Sequence, residues 1–261
     1  MRKTIPEIIQ RKKGEKIVVL TAYTFPVAKI IDEFADIILV GDSLGMVLYG
    51  MNSTLAVTVE MMSLHGAAVT KASSNALVVV DMPFGSYQES AAQAFRNAAK
   101  IMAETGAGAV KLEGGTEIAE TVKLLTSAGI PVMGHIGMQP QSFNSYGGFK
   151  VQGKDKASQT KIMADGLALE KAGAFAVVIE GVKKETADVI TKKLKIPTIG
   201  IGASANCDGQ VLVTEDMVGL TEKAPKFVKK YADIATTIKK AAKGFASDVR
   251  TKNFPTAENL Y

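Results

Sequence analysis

Cysteine occurs once in the 261 residues, at Cys207, histidine twice, and tryptophan not at all. A lone thiol forms no intrachain disulfide and cannot build a Cys-based zinc site, so a reducing compartment fits. Long apolar runs are also missing, since none approaches the ~18 residues of a membrane span. The opening Met1-Arg2-Lys3-Thr4-Ile5-Pro6 turns at Glu7 into a charged stretch with no apolar signal region. The expectation is a cytoplasmic protein without a membrane partner. Aromatic residues make up 6% of the chain and are little interleaved with basic ones, which speaks against base stacking despite a net charge of +5. The surplus lysines gather in the tail, at Lys223, Lys226, Lys229, Lys230, Lys239, Lys240 and Lys243. Alternating with Phe227, Val228, Ile234 and Ile238, they predict a C-terminal helix with one solvated and one packed face. No nucleic-acid partner is expected. A Ser-His-Asp order and a Gly-rich dinucleotide fingerprint are absent as well.

What is present is a repeated unit. Four short apolar runs end in an acid: residues 37–40 lead to Asp42, 77–80 to Asp81, 109–112 to Glu113 and 176–179 to Glu180. A β-branched run without polar alternation is the signature of a strand buried on both faces. Residues 17–21, 37–40, 77–81, 109–112, 131–134, 176–179, 197–201 and 210–213 read as eight strands. Between most of them lie helical patterns, the clearest over 89–104, where Ser86 and Glu89 form a predicted capping box. Gly106, Gly129 and Gly173 stand where helices should close in the left-handed conformation. Eight αβ units predict a (β/α)8 TIM barrel in a single domain over 1–261. An N-terminal helix over 5–11 should cap its bottom. Only residues 202–209 separate strands seven and eight, which predicts a short seventh unit without a full helix.

Ligands bind at the C-terminal strand edge of such folds. Asp42, Asp81 and Glu113 end neighbouring strands there, and three like charges that remain ionised invite a cation. All-oxygen ligands with few histidines suit Mg²⁺ or Mn²⁺. The competing reading has each acid paired with a base or capping a helix. Lys111, two residues before Glu113, faces the same side, where it either holds a substrate carboxylate or forms a buried ion pair with Glu113. Ser43 either bonds that carboxylate or forms a turn. Glu180 follows Val177, Val178 and Ile179, and an apolar setting would suit it as a general base. His135 is placed to hydrogen-bond a substrate oxygen, whereas His65 lies on a helical pattern over 59–71 and reads as packing or surface. Gly200-Ile201-Gly202-Ala203-Ser204 is a weak phosphate-loop signal. The glycine-rich, aperiodic stretch over 138–156 predicts a lid or binding loop.

Several stretches together resemble the ketopantoate hydroxymethyltransferase family over nearly the whole chain. They are Thr21-Ala22-Tyr23, Val40-Gly41-Asp42-Ser43-Leu44-Gly45, Asp81-Met82-Pro83-Phe84-Gly85-Ser86-Tyr87, Val110-Lys111-Leu112-Glu113-Gly114, Gly134-His135-Ile136-Gly137, Gly147-Gly148-Phe149-Lys150-Val151-Gln152-Gly153, Gly200-Ile201-Gly202-Ala203 and Cys207-Asp208-Gly209-Gln210-Val211-Leu212-Val213. The resemblance implies a decameric homo-oligomer with one Mg²⁺ per subunit. It also implies transfer of a one-carbon unit from 5,10-methylenetetrahydrofolate to 3-methyl-2-oxobutanoate, the first committed step of pantothenate and coenzyme A synthesis. It further implies Asp42, Asp81 and Glu113 as the metal shell, Ser43 and Lys111 as holders of the keto acid, and Glu180 as the base. Two departures from the family pattern fall in loops: Ser204 after Gly-Ile-Gly-Ala, and Met138-Gln139 before Pro140.

Two alternatives stay open at this level. One is the phosphoenolpyruvate mutase and isocitrate lyase group, which also handles α-keto acids on Mg²⁺ in a barrel. The Gly147 to Gly153 stretch and the lack of that group's reactive-cysteine motif count against it. The other is a non-catalytic barrel, against which the intact set of Asp42, Asp81, Lys111, Glu113 and Glu180 argues.

Overall fold

The computed structural model describes residues 1–261, which divide into two compact units, Met1–Leu212 and Val213–Tyr261. The first holds eight parallel strands in a closed barrel: β1 Ile17–Thr21, β2 Ile37–Val40, β3 Leu77–Asp81, β4 Ala109–Glu113, β5 Val132–Gly137, β6 Ala176–Glu180, β7 Thr198–Ile201 and β8 Gly209–Leu212. Each pairs with its successor, and β8 closes on β1 through Gly209 opposite Ile17. The (β/α)8 expectation holds. Strand ends move by up to three residues, because pairing with a neighbour continues past the apolar run: β5 extends to Gly137 and β6 to Glu180.

Alternation divides each strand between two apolar layers. Val79, Ala109, Met133, Val178 and Ile199 fill the barrel interior, while Val78, Val80, Leu112, Val177 and Ile179 pack in the layer that includes helix residues such as Val122 and Leu125. The N-terminal helix Ile5–Gln10 sends the fully buried Ile8 into the interior cluster beside strand-start residues Ile17 and Leu77, so it caps the barrel bottom as predicted. No helix separates β7 from β8. The weak phosphate signal there therefore lacks a following helix N-terminus to supply N–H donors.

Three local expectations are corrected. The helix after β3 spans Ala91–Thr105, and its N-cap is Ser90, which accepts from Gln93 N–H at 3.1 Å. Ser86 instead donates to Pro83 O at 2.6 Å inside a turn, because Gly85 and Ser86 still belong to the loop that leaves β3. Residues 138–156 are not structureless: Pro140–Ser142 is a 3₁₀ turn and Phe143–Tyr146 a helical turn, with Phe143 and Phe149 rings 4.9 Å apart. In the second unit the tail helix runs only over Ile234–Thr251, and none of its residues is buried. Phe227, Val228 and the lysines from Lys223 to Lys230 precede it, so the expected packed face is not formed within that unit. No helix of the chain is long and apolar enough to cross a membrane.

Candidate active site

Barrel stagger decides which strand-end residues meet. Register places Asp81 opposite Lys111, Glu113 opposite His135, and Gly137 opposite Glu180. Lys111 Nζ lies 3.0 Å from Asp81 Oδ1, with both side chains almost wholly buried. The expected ion pair of this lysine is thus made with Asp81, across the strand pair, rather than with Glu113 on its own strand. Asp81 Oδ1 otherwise has no directed hydrogen bond, while Oδ2 accepts from the Asp42 N–H at 3.1 Å. Gly41 leaves room for the Ser43 hydroxyl: a Cβ there would stand 2.8 Å from Ser43 Oγ.

Burial, reinforced by the Asp81 charge, raises the Asp42 carboxyl to about 7. Burial and the Asp42 charge likewise push Glu113 upward. Burial works against the Lys111 ammonium, yet Asp81, Glu113 and Asp42 outweigh it and hold its pKa above the ordinary lysine value. Acids outnumber bases here, so the pocket favours proton uptake or a further cation.

His135 stands between two acids. Its Nδ1 is 3.6 Å from Glu113 Oε1 and 3.3 Å from Lys111 Nζ, and its Nε2 is 3.2 Å from Glu180 Oε2. Burial and the Lys111 charge lower its pKa, which keeps the imidazole neutral. Glu180 corrects one expectation. Its surroundings are not apolar, because His135 stands between it and Glu113. Val177 and Ile179 turn outward into the helix layer, and the Glu180 side chain keeps 16% of its surface open at the rim. A Cβ on Gly137 would meet Glu180 O at 2.5 Å, so a bare backbone lets β5 and β6 approach there.

Ser43 Oγ lies 2.8 Å from the Tyr23 hydroxyl, beside the Asp42 backbone. His65 is held by Tyr23 O at 2.5 Å and the Tyr49 hydroxyl at 2.9 Å, which agrees with its packing role. Ser204 is buried and bonded to Asp188, with Asn206 N–H donating to it at 3.1 Å, so this departure from the family pattern serves its own loop.

Two participants carried no functional assignment in the sequence. Gln141 donates through Nε2 to Asp42 Oδ2 and to Met82 O, each at 2.9 Å, and its backbone N–H donates to Glu113 Oε2 at 3.0 Å. The Tyr87 hydroxyl lies 2.7 Å from Gln141 Oε1 and accepts from the Glu113 N–H at 3.1 Å. The available signal was Pro140, whose fixed φ suits the first position of a helical turn and so aims the next residue.

No three Asp, Glu, His or Cys side chains are grouped to hold one ion by themselves. The acids are instead linked in pairs, through Asp42 with Asp81 and through Gln141 between Asp42 and Glu113. This donor set still fits a hard divalent cation. It is all oxygen and acid-rich, with buried Asp42, Asp81 and Glu113 set against a single buried lysine, and such ions bind through one or two carboxylates with water completing the shell.

A closed parallel barrel with paired acids and a buried lysine at the C-terminal strand ends defines a (β/α)8 enzyme. The family described as ketopantoate hydroxymethyltransferase matches residues 2–257, and the chain belongs to that family of transferases. It is 56% identical to the 3-methyl-2-oxobutanoate hydroxymethyltransferase of Rhodospirillum rubrum, over 100% of this chain and 95% of that protein. The corresponding enzyme of Paramagnetospirillum magneticum is 57% identical with the same coverage. A solved structure of phosphonopyruvate hydrolase matches in fold alone, with a TM-score of 0.64 and 15% identity over 98% of this chain and 90% of that one.

Proposed function

We propose that the chain transfers a hydroxymethyl group from 5,10-methylenetetrahydrofolate to 3-methyl-2-oxobutanoate, giving 2-dehydropantoate for pantothenate and coenzyme A synthesis. The observation that carries the reading is the rim arrangement, in which a partly open Glu180 stands one neutral imidazole away from a buried acid cluster. Asp42, Asp81 and Glu113 would hold Mg²⁺, which when bound supplies Lewis-acid stabilisation of negative charge on the keto oxygen. The Lys111 ammonium and the Ser43 hydroxyl, the latter fixed by Tyr23, receive the substrate carboxylate. Glu180 reaches the rim and removes the proton from C3, with His135 Nε2 standing 3.2 Å from its Oε2. The C3 carbon so activated forms its new bond to the one-carbon unit, the methylene–nitrogen bonds of the folate break with proton return to give tetrahydrofolate, and water supplies the hydroxyl oxygen of the product. A neutral His135 suits this task, because an imidazolium beside Glu180 would weaken the base.

The test is direct. Purified protein is incubated with the keto acid, Mg²⁺ and one of several one-carbon carriers: tetrahydrofolate, a modified pterin, or neither, each loaded with formaldehyde. Product is followed by mass spectrometry. Formation of 2-dehydropantoate with the folate carrier supports the reading, whereas product only with a different carrier transfers the donor assignment to it. Absence of product with every carrier contradicts the reading.

A further inference from the structure

Gln141 is 95% buried, on a turn that opens the 138–155 segment, yet it contacts three strand ends at once. Its amide orientation is not arbitrary. Met82 O can only accept and the Asp42 carboxylate accepts, so the –NH₂ end must face them. Its Oε1 end then receives the Tyr87 hydroxyl at 2.7 Å and Gln88 Nε2 at 3.1 Å, which leaves no polar group of the carboxamide unpaired. Gln141 thereby occupies Asp42 Oδ2 with its side chain and Glu113 Oε2 with its backbone N–H. Gln141 itself leaves the second oxygen of each acid unbonded, and that of Glu113, Oε1, faces His135 Nδ1 at 3.6 Å.

We infer that Gln141 is a positioning residue of the acidic cluster, aiming Asp42 and Glu113 toward a divalent cation and tying the 138–155 segment to the state of that site. The inference rests on the proposal that these acids hold such a cation. Partners that orient metal-binding side chains commonly change affinity by about 10- to 100-fold when removed. Coupling is reciprocal: if the turn improves cation binding, the cation stabilises the turn by the same factor. Lys150 and Lys154, exposed on the same segment, provide built-in reporters of its opening.

The experiment uses the full-length protein without substrate. Mn²⁺ affinity is measured by electron paramagnetic resonance, and trypsin cleavage after Lys150 and Lys154 is timed with and without Mg²⁺. Gln141→Leu is expected to weaken Mn²⁺ binding about 10-fold or more and to abolish Mg²⁺ protection of the segment. Gln141→Met, which keeps length and flexibility, should behave alike if the leucine variant folds poorly. Tyr87→Phe, which leaves Gln141 in place, should shift affinity the same way by less. Gln139 sits on the same turn but bonds only Ser142 and Tyr146 in the structure, so Gln139→Leu should leave Mn²⁺ affinity at the parental value. Parental Mn²⁺ affinity in folded Gln141→Leu or Gln141→Met overturns the inference alone. Equal losses in Gln139→Leu and Gln141→Leu overturn it by showing a general effect of the turn. A parent protein that binds no Mn²⁺ overturns the cation reading and this inference with it.

Discussion

Replacing Lys111 by methionine removes the one cation buried among the carboxylates while keeping side-chain length. The ammonium is 3.0 Å from Asp81 Oδ1, with side chains 6% and 4% exposed. At an effective dielectric near 20 that contact corresponds to about 5 kcal/mol of attraction. Breaking a buried pair from one side costs about 3–5 kcal/mol, because the remaining charge is stranded. Part of this returns when a stranded acid takes up a proton. Asp42, with a pKa already about 7, and Glu113, pushed upward by burial, are the nearest acids with raised values. An acid whose folded pKa is raised makes the fold bind extra protons, so stability falls as pH rises from the unfolded value through the folded one. Without the lysine those folded values rise further. Urea unfolding in EDTA should therefore show Lys111→Met destabilised by about 3 kcal/mol at pH 8 and by less at pH 6. A cost below about 1 kcal/mol at pH 8, the range of an exposed pair, would refute the reasoning. So would a cost that grows as pH falls.

Two further outcomes follow from the same geometry. Burial opposes ionisation of Asp32, but bonds from the Ser73 hydroxyl and from Ala76, Ser74 and Asn75 N–H outweigh it and bring the pKa to about 2. A depressed acid stabilises above its unfolded pKa and loses that contribution as pH falls through the folded one, here between the ordinary 3.8 and about 2. Asp32→Asn should lose about 1–2 kcal/mol at pH 7 and flatten thermal-melt midpoints across that acid window, and an unchanged acid profile would contradict it. Gly137→Ala places a Cβ 2.4 Å from Val182 Cγ2 and 2.5 Å from Glu180 O at a φ of +94°. Steady-state kinetics should show kcat reduced by about 100-fold, the scale of a misplaced reacting group, and a parental kcat would show that Glu180 position is not critical.

The barrel was legible because its strands are buried on both faces and so carry unbroken β-branched runs. Residues 37–40 and 77–81 coincide with β2 and β3 as read. The acids were legible because they stand where those runs stop. What the sequence could not convey is which side chain meets which. Lys111 and Glu113 share a strand face, yet the ion pair forms with Asp81 because barrel stagger sets Asp81 opposite Lys111. Glu180 follows three apolar residues, yet alternation turns Val177 and Ile179 outward and leaves His135 as its neighbour. Gln141 has no periodic pattern around it, and its place depends on a turn whose ends are fixed by Glu180 O and Glu113 Oε2. The tail helix showed its amphipathic stripe in sequence, but that stripe alone does not reveal what covers it.

Proton exchange at C3 of 3-methyl-2-oxobutanoate tests the central claim most directly, because it isolates Glu180 from the folate half of the reaction. The keto acid is incubated with protein and Mg²⁺ in D₂O without folate, and the C3 proton is followed by NMR. The parent should exchange it, and Glu180→Gln should not. A folded Glu180→Gln variant that exchanges as fast as the parent would contradict the assignment of Glu180 as the base.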